Sequence, residues 1–337
     1  MGGDETRAAA THRLACGVDI GGTKLAAGLV AADGSVLARA RRSTPAQDAE
    51  ALSALVADVV AELSASAGGL RGLPVGVGAA GLVDLDGVVR YAPNIAWADY
   101  PLRADLAERL GVPVVVENDA NVAAWGEYRA GAGRDARQTM LMLTVGTGVG
   151  GGLVMGDRLM RGSNGLAAEL GHVIVDEGGP PCPCGNLGCL EALASGTAIG
   201  RTAAEVLDSG VVPEGSLLHE LDELTGKSVT VAARAGDAAA VGVLERVGFW
   251  LGVGLASLVN AFDPEVIVVG GGAIEAGDLL LEPAREAFVQ RVIGRRYRTL
   301  PPIRRAALGD DAGIVGAALL ALERAEAEHR DADLPLR

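Results

Sequence analysis

Three of the four cysteines of this 337-residue chain lie within eight positions of one another, in the stretch from Glu169 to Glu191. The four candidate metal ligands in this stretch are His172, Cys182, Cys184 and Cys189. Glycines and prolines surround the cysteines, so the loop has few side chains with which to build a hydrophobic core. Three thiolates and one imidazole suit a closed tetrahedral zinc site, which would hold such a loop together in place of packing.

The clustered cysteines could instead be core residues or form a disulfide. Free cysteines are often small buried hydrophobic residues, but three in a loop rich in glycine and proline cannot all belong to a core. A disulfide between Cys182 and Cys184 would be strained, because residues two apart in an extended loop point in opposite directions. Structural zinc is therefore favoured over both. Cys16 lies in an apolar, strand-like run and is expected to be inert.

Composition limits the possible classes of protein. A net charge of −14 argues against binding to nucleic acid, which needs clustered lysine and arginine. Phosphate ligands remain possible, because backbone amides bind anions without basic side chains. The longest uncharged run, Val247 to Phe262, has sixteen residues and is shorter than the roughly 20 that a membrane span needs. We expect a cytoplasmic protein with no membrane partner, and a disordered leader at residues 1–12.

The order of apolar runs and turns predicts an α/β protein with two related domains. A strand meander begins at Leu14, and helices and strands then alternate in two successive series. We predict a small first domain over residues 13–117, completed by a C-terminal helix at 313–327. Residues 118–312 are predicted to form a large second domain that carries the zinc loop 172–189.

Two glycine turns between strands are candidates for phosphate binding. The first is DIGGTK, from Asp19 to Lys24, and the second is Gly146–Thr147–Gly148. Either could be an ordinary hairpin turn, but one in each half of the chain could bind a polyphosphate with backbone N–H groups. A third glycine run at 268–272 follows a buried strand. GVGAAG at 76–81 and GTGVGG at 146–151 match the G-x-G-x-x-G pattern of dinucleotide-binding folds, but neither opens the helix that such folds need. Gly226–Lys227–Ser228 resembles the end of a P-loop but lacks the preceding strand and the first glycine of that motif.

The segment ENDAN at 117–121 follows a strand and begins a helix. Asn118 or Asp119 could simply cap that helix. Alternatively, Asp119 could accept a proton from a hydroxyl group that attacks phosphorus. Asn94 is likewise either a turn residue or a contact for a hydroxylated ligand. Local sequence does not decide between these interpretations.

Taken together, these motifs resemble the ROK family of sugar kinases (repressors, open reading frames, kinases). DIGGTK, ENDAN, LTVGTGVGGG, E-x-x-H and C-x-C-G-x-x-G-C-x-E occur in the order and spacing of that family, over about residues 14–325. The resemblance implies a two-domain actin-like, ribonuclease-H-like ATPase fold with the active site in the interdomain cleft. It also implies ATP-dependent phosphorylation of the 6-hydroxyl of glucose by a homodimer or homotetramer.

The resemblance also implies roles for individual residues. Asp119 would be the general base, and Asp19 would stand near Mg²⁺. Glucose would be bound by Gly81, Asn94, Asn118, Asp119, Glu169, His172 and Glu191. ATP would be bound by Asp19, Gly21, Gly22, Thr23, Lys24, Gly146, Thr147, Gly148, Gly271 and Gly272. His172 would serve twice, with one ring nitrogen on zinc and the other on a sugar hydroxyl.

Other functions remain open at this point. The sugar could be mannose, N-acetylglucosamine, N-acetylmannosamine, fructose or allose, because the loop IAWADYP at 95–101 varies with the sugar accepted. Relatives that use polyphosphate lack the cysteine cluster, which favours ATP as donor. A sugar-responsive repressor of the same family would carry a helix-turn-helix ahead of the first strand, where only about a dozen residues stand here. The contexts of the glycine loops disfavour a nicotinamide enzyme.

Overall fold

The structure is a computed structural model that describes residues 14–69 and 72–332. The expected leader at residues 1–12 lies outside the described residues. The chain divides into two compact units. The first contains the described residues up to Asp135, then Gly152–Ala168 and the described residues from Ala307 onward, and the second contains Ala136–Gly151 and Glu169–Ala306.

The first unit contains a five-stranded sheet, a separate three-stranded sheet and several helices. Its elements are β1 (Leu14–Ile20), β2 (Lys24–Ala31), β3 (Val36–Ser43), α1 (Ala49–Ser66), β4 (Val75–Ala79), β5 (Leu82–Val83), β6 (Val89–Tyr91), β7 (Ala98–Tyr100), α2 (Leu102–Leu110), β8 (Val114–Asn118) and α3 (Asp119–Ala130). The strand order in the main sheet is β3-β2-β1-β4-β8, and β5, β6 and β7 form a separate three-stranded sheet. The strands β1, β4 and β8 are parallel, so their carboxyl ends meet at one edge.

The last helix of the chain, α9 (Ala312–Ala332), packs closely on this sheet. Gly17 of β1 and Gly76 of β4 lie directly against its backbone, where a Cβ atom would overlap the carbonyl groups of Ile314 and Ala317. On the other side, Gly316 of α9 meets the backbone of α3 at Val122. Glycine is therefore required at these crossings because any side chain would push the layers apart.

We expect Gly76→Ala to lower the free energy of unfolding by about 3 kcal/mol, because the added methyl group meets backbone that cannot rotate away. Gly111→Ala is unsuitable as a control because Gly111 has a positive φ. Gly242→Ala in an open helical position is suitable and should be neutral or slightly stabilising. Urea denaturation of both variants would measure the difference. A Gly76→Ala midpoint equal to that of the parent protein would contradict the packing argument.

The second unit contains a four-stranded sheet with order β10-β9-β11-β12, whose strand β10 continues past Gly151 into residues that group with the first unit. Its elements are β9 (Thr139–Val145), β10 (Val149–Met155), α4 (Leu190–Ala194), α5 (Gly196–Asp208), α6 (Gly226–Arg234), α7 (Ala238–Phe262), β11 (Val266–Gly270), α8 (Asp278–Arg291) and β12 (Ile303–Arg305). β11 is parallel to β9 and to β12. The turn Gly146–Gly148 joins β9 to β10, so its glycines lie at the end of a largely buried strand.

One helix among the described residues, α7, is long and apolar enough to cross a membrane by length and composition. Half of its most apolar window is buried inside the protein. Gly248 and Gly252 let it approach the backbone of α8 closely, next to the carbonyl groups of Leu280 and Ala284. The apolar sequence of α7 is therefore explained by helix packing.

A buried carboxylate holds three backbone N–H groups of the first unit. Glu127 of α3 is fully buried and accepts hydrogen bonds from the N–H groups of Ala132, Ala307 and Leu308, at 2.7, 3.0 and 2.7 Å. Without Glu127 these three N–H groups would lack that partner. The side chain thus ties the end of α3 to the segment that leads into α9.

The structure differs from the sequence-based expectations in several elements. The C-terminal helix, expected at 313–327, continues to Ala332. β10 begins at Val149, three residues before Gly152, where the sequence predicts this strand to start. β7, α4 and β12 are not predicted by the sequence pattern because each has five residues or fewer. The compact units also differ from the expected division at residues 117/118. α3 groups with the first unit because its backbone packs against α9 at Gly316.

Candidate active site

The carboxyl ends of β1 and β8 bring two acidic residues together. A Cβ atom on Gly78, in the intervening strand β4, would lie 3.5 Å from the Cα of Asp119 and 3.7 Å from Oδ1 of Asp19. Burial raises the pKa of Asp119 to about 6. Burial, and then the charge of Asp119, raises the pKa of Asp19 to about 7. The two carboxylates therefore form a half-buried acidic pair that can hold a proton or a cation near neutral pH.

The structure separates the capping role from the catalytic candidate at the start of α3. Asn118 is the N-cap, since its Oδ1 accepts the N–H of Asn121 at 3.0 Å. Its Nδ2 donates to the carbonyl oxygen of Gly81 and to Oδ1 of Asp119, at 3.0 and 3.1 Å. Asp119 is left as a half-buried carboxylate whose direction is set by the Asn118 amide and the Ala120 N–H.

An ion pair between Glu117 and Arg161, which the sequence does not reveal, lies next to Asn118 at the end of β8. Glu117 is buried, and its Oε1 accepts hydrogen bonds from the Asn118 N–H and the Asn121 amide. Its other oxygen lies 2.5 Å from Nε of Arg161, close enough for an ion pair although the angle at Nε does not suit a hydrogen bond. The pair braces the chain on both sides of Asn118.

Arg161→Ala should lower the free energy of unfolding by about 2–4 kcal/mol, because it leaves Glu117 as a buried charge without its cation. Adding Glu117→Gln to the same variant should recover much of this loss, since the uncompensated charge is then removed. Arg158→Ala, at an exposed position of the same segment, is the matched control. Denaturation midpoints would test this, and a double variant no more stable than Arg161→Ala would contradict it.

The first glycine turn lies beside the predicted sugar contact Asn94. The Gly21 N–H donates to the Lys24 carbonyl at 3.0 Å, which closes the turn between β1 and β2. A Cβ atom on Gly22 would lie 2.7 Å from Cβ of Asn94, so the turn and the asparagine are in close contact. Thr23 follows in the turn, and the Lys24 ammonium lies 3.5 Å from the Asp310 carboxylate.

In the second unit, the four predicted metal ligands come together. The ligand atoms of His172, Cys182, Cys184 and Cys189 all lie within 4.8 Å of one another. Nδ1 of His172 is 3.6 Å from the Cys182 sulfur, and the sulfurs of Cys184 and Cys189 are also 3.6 Å apart. With Zn–S bonds of about 2.3 Å, a tetrahedron has edges of about 3.8 Å, so these separations fit a zinc ion. Cys16 stands apart in the core, where burial raises the pKa of its thiol to about 12.

Glu191 connects the cysteine cluster to the second glycine turn. One of its carboxylate oxygens accepts the Val149 N–H at 2.9 Å, and the other lies 3.7 Å from the Cys182 sulfur. A side chain on Gly148 would collide with this carboxylate. Glu169 precedes the short 3₁₀ turn Leu170–His172, and its carbonyl accepts the His172 N–H at 3.1 Å. Because Nδ1 of His172 faces the sulfurs, Nε2 is the ring nitrogen left for another partner.

A cavity of about 980 Å³ lies within the second unit. Gly146, Thr147 and Gly272 line it, and so do the starts of two helices, Gly196–Thr197 of α5 and Gly226–Lys227 of α6. Gly271 has φ +88° and lies against the Val145 backbone, where only glycine fits. The residues predicted to bind ATP in the second unit thus border one cavity or adjoin its wall.

The predicted site residues are distributed over both units. Asp19–Lys24, Gly81, Asn94, Asn118 and Asp119 belong to the first unit, and Gly146–Gly148, Glu169, His172, Glu191 and Gly271–Gly272 belong to the second. Four further residues at these sites are not predicted by the sequence: Glu117 and Arg161 of the ion pair, and Thr197 and Lys227 of the cavity lining. Only Lys227 belongs to a recognisable sequence motif, Gly226–Lys227–Ser228, which lacks the context of a P-loop.

The chain belongs to the ROK family, whose family model matches residues 15–324. Among curated proteins it is 42% identical to the glucokinase of Streptomyces coelicolor, with 92% of this chain and 98% of that protein covered. It is 39% identical to the glucokinase of Thermotoga maritima, with 91% and 97% covered. The crystal structure of a ROK family glucokinase from Streptomyces griseus in complex with glucose and AMPPNP has a TM-score of 0.81 at 43% identity, covering 92% of this chain and 99% of that one. The predicted fold class is thereby confirmed.

Proposed function

We propose that this protein transfers the γ-phosphoryl group of ATP to the 6-hydroxyl of glucose, giving glucose 6-phosphate and ADP. The observation that carries the proposal is the half-buried Asp119 carboxylate, which has a raised pKa, accepts a hydrogen bond from the Asn118 amide and lies across Gly78 from Asp19. The similarity to glucokinases over nine-tenths of the chain supports glucose as the sugar and ATP as the donor.

In the proposed reaction, Asp119 accepts the proton of the 6-hydroxyl as its oxygen attacks the γ-phosphorus. The new O–P bond forms while the bond from phosphorus to the bridging oxygen of ADP breaks. A pKa of about 6 suits this role, because the carboxylate is largely ionised at neutral pH yet basic enough to take a proton. Asp19, at the neighbouring strand end, would hold Mg²⁺, which neutralises charge on the phosphates when bound.

The residues that we propose to bind glucose are Gly81, Asn94, Asn118, Asp119, Glu169, His172 and Glu191. Carboxylates and amides suit pairs of sugar hydroxyls. We propose that the cluster of His172 and the three cysteines binds zinc, which fixes the His172 ring through Nδ1 and leaves Nε2–H to donate to a hydroxyl.

The nucleotide would occupy the cavity of the second unit and the two glycine turns. The turn Gly146–Gly148 offers backbone N–H groups to phosphates, and the turn from Gly21 to Lys24 offers a hydroxyl and an ammonium group as well. The cavity volume of about 980 Å³ is ample for a nucleotide. We further propose a cytoplasmic location and a homodimeric or homotetrameric assembly, neither of which the proposed reaction requires.

The decisive experiment is an ATP-coupled assay over glucose, mannose, N-acetylglucosamine, N-acetylmannosamine, fructose and allose, with polyphosphate as a second donor. The proposal expects the highest kcat/KM for glucose with ATP and a product phosphorylated at carbon 6, as NMR would show. Phosphorylation of none of these sugars would refute the kinase proposal. A preference for another sugar would refute only its glucose specificity.

A further inference from the structure

The cavity of the second unit is electropositive in an otherwise acidic protein. Three cationic side chains line it, those of Arg201, Lys227 and Arg234, against one carboxylate, that of Glu275. The whole chain carries a net charge of −14. A local excess of positive charge in a concave site attracts an anionic ligand and raises its local concentration.

Close backbone contacts connect this cavity to the second glycine turn. The Gly196 N–H donates to the Gly146 carbonyl at 2.7 Å, and Oγ1 of Thr197 donates to the Thr147 carbonyl at 2.7 Å. A Cβ atom on Gly226 would lie 2.9 Å from the Gly196 carbonyl oxygen. The turn, the start of α5 and the start of α6 therefore adjoin one another.

These contacts place Lys227, one of only two lysines in the chain, near the turn. Lys227 is the second residue of α6, directly after Gly226. A lysine side chain extends about 6 Å from its Cα, enough to bring its ammonium group to a ligand bound against Gly146 and Thr147. The start of α6, which is the positive end of its helix dipole, lines the same cavity.

The two arginines of the cavity already have partners. Arg201 pairs with Glu205 and donates to the Ala192 carbonyl at 2.7 Å, and Arg234 donates to the Glu275 carbonyl. Lys227 differs. Within residues 14–69 and 72–332, its exposed ammonium group takes part in no ion pair or side-chain hydrogen bond. It is thus available to an anion that enters the cavity.

We propose that Lys227 binds the phosphate chain of the nucleotide and contributes to affinity for ATP and ADP. The inference rests on the proposed function insofar as it takes the anion to be a nucleoside polyphosphate. It does not make the segment a P-loop, since α6 follows the 3₁₀ turn Leu217–Glu220 instead of a strand. Lys227 acts as a point charge at the start of a helix.

Replacing Lys227 with Gln tests the proposal, with Lys227→Arg as the conservative variant and Arg296→Gln as an exposed control outside the cavity. We expect Lys227→Gln to raise the KM for ATP and the inhibition constant of ADP about tenfold, while the KM for glucose stays unchanged. Lys227→Arg should recover most of the affinity. Adenosine, which has no phosphate, should inhibit all variants equally.

Two outcomes would overturn the proposal. An unchanged KM for ATP would show that the ammonium group does not contact the nucleotide. A loss of adenosine inhibition as large as that of ADP would assign Lys227 to the nucleoside instead of the phosphates. Calorimetric titration of ATP without sugar compares the ATP affinities of the parent protein and the Lys227 variants even if glucose is not the substrate. Failure of this proposal is therefore distinguishable from failure of the proposed function. Equal melting temperatures would exclude a folding defect.

Lysine labelling gives an independent readout, because the described chain has only Lys24 and Lys227 to modify. Reductive methylation followed by mass spectrometry should show Lys227 protected by ATP and by tripolyphosphate, but not by adenosine. Protection by adenosine, or no protection by either phosphate compound, would contradict a phosphate contact.

Discussion

Asp119→Asn should lower kcat about a thousandfold while leaving the affinity for glucose within a few fold of the parent protein. An amide keeps the shape and the hydrogen bond to Asn118 but cannot accept the proton of the attacking hydroxyl. Steady-state kinetics would give kcat, and calorimetric titration of glucose would give the affinity separately. Turnover within tenfold of normal would mean that another group serves as the base.

The same substitution should make the protein more stable at neutral pH. The pKa of Asp119 is raised in the folded state, so the group favours folding below its unfolded pKa of about 3.8, and this advantage disappears as pH rises through about 6. At pH 7 the half-buried carboxylate therefore opposes folding, and Asn removes that cost. A higher Tm at pH 7 but not at pH 4 is expected, with exposed Asp86→Asn as the control. A lower Tm at pH 7 would indicate a structural role instead.

In the parent protein, the pH dependence of the activity should show the ionisation of Asp119. Only the ionised form of Asp119 can accept a proton, so kcat/KM should fall as pH decreases through about 6. A profile flat from pH 5 to pH 8 would contradict the assignment of the base.

Cys184→Ala should release the metal and raise the KM for glucose by at least tenfold. Cys184 is the exposed cysteine of the cluster, so the substitution removes a ligand without opening a core cavity. Loss of one ligand from a closed site weakens zinc binding strongly, and the loop that carries His172 is then no longer held. Metal analysis and sugar kinetics would measure the two effects together.

Cys16→Ala is the matched control, because this buried cysteine lies in β1 outside the cluster and should leave the metal content unchanged. The KM for ATP should also change less than the KM for glucose, although Glu191 contacts both the cluster and the turn at Val149. Full metal content in Cys184→Ala, or metal loss with normal glucose kinetics, would each contradict the proposed coupling.

Sequence patterns predicted the longer elements well. The apolar pattern predicts helices at Ala49–Ser66 and Leu102–Leu110 and a strand at Thr139–Val145, and these are the bounds of α1, α2 and β9. The clustering of His172, Cys182, Cys184 and Cys189 was likewise predictable, since these residues lie close together in the sequence. Elements of three residues, such as β7 and β12, carry too little pattern to be seen.

What sequence could not provide depends on contacts between distant segments. Glu117 and Arg161 are 44 positions apart, and nothing in either local sequence indicates that they meet. The sequence does not show which of Asn118 and Asp119 caps α3, because the answer depends on the backbone direction at the end of β8. The motif around Lys227 lacks a P-loop context. The cavity beside this lysine is completed by three segments that are distant in sequence, which begin at Gly146, Gly196 and Gly272.

The position of α9 has a consequence for how this protein is made. The helix α9, which covers β1 and β4, begins about 230 residues after the end of β4 and is therefore synthesised well after both strands. Until then the apolar face of the first sheet has no permanent cover, whereas most of the second unit is one continuous stretch and can fold as it emerges. We expect nascent chains that stop before residue 312 to aggregate or be degraded, so even a late premature stop codon should abolish the protein.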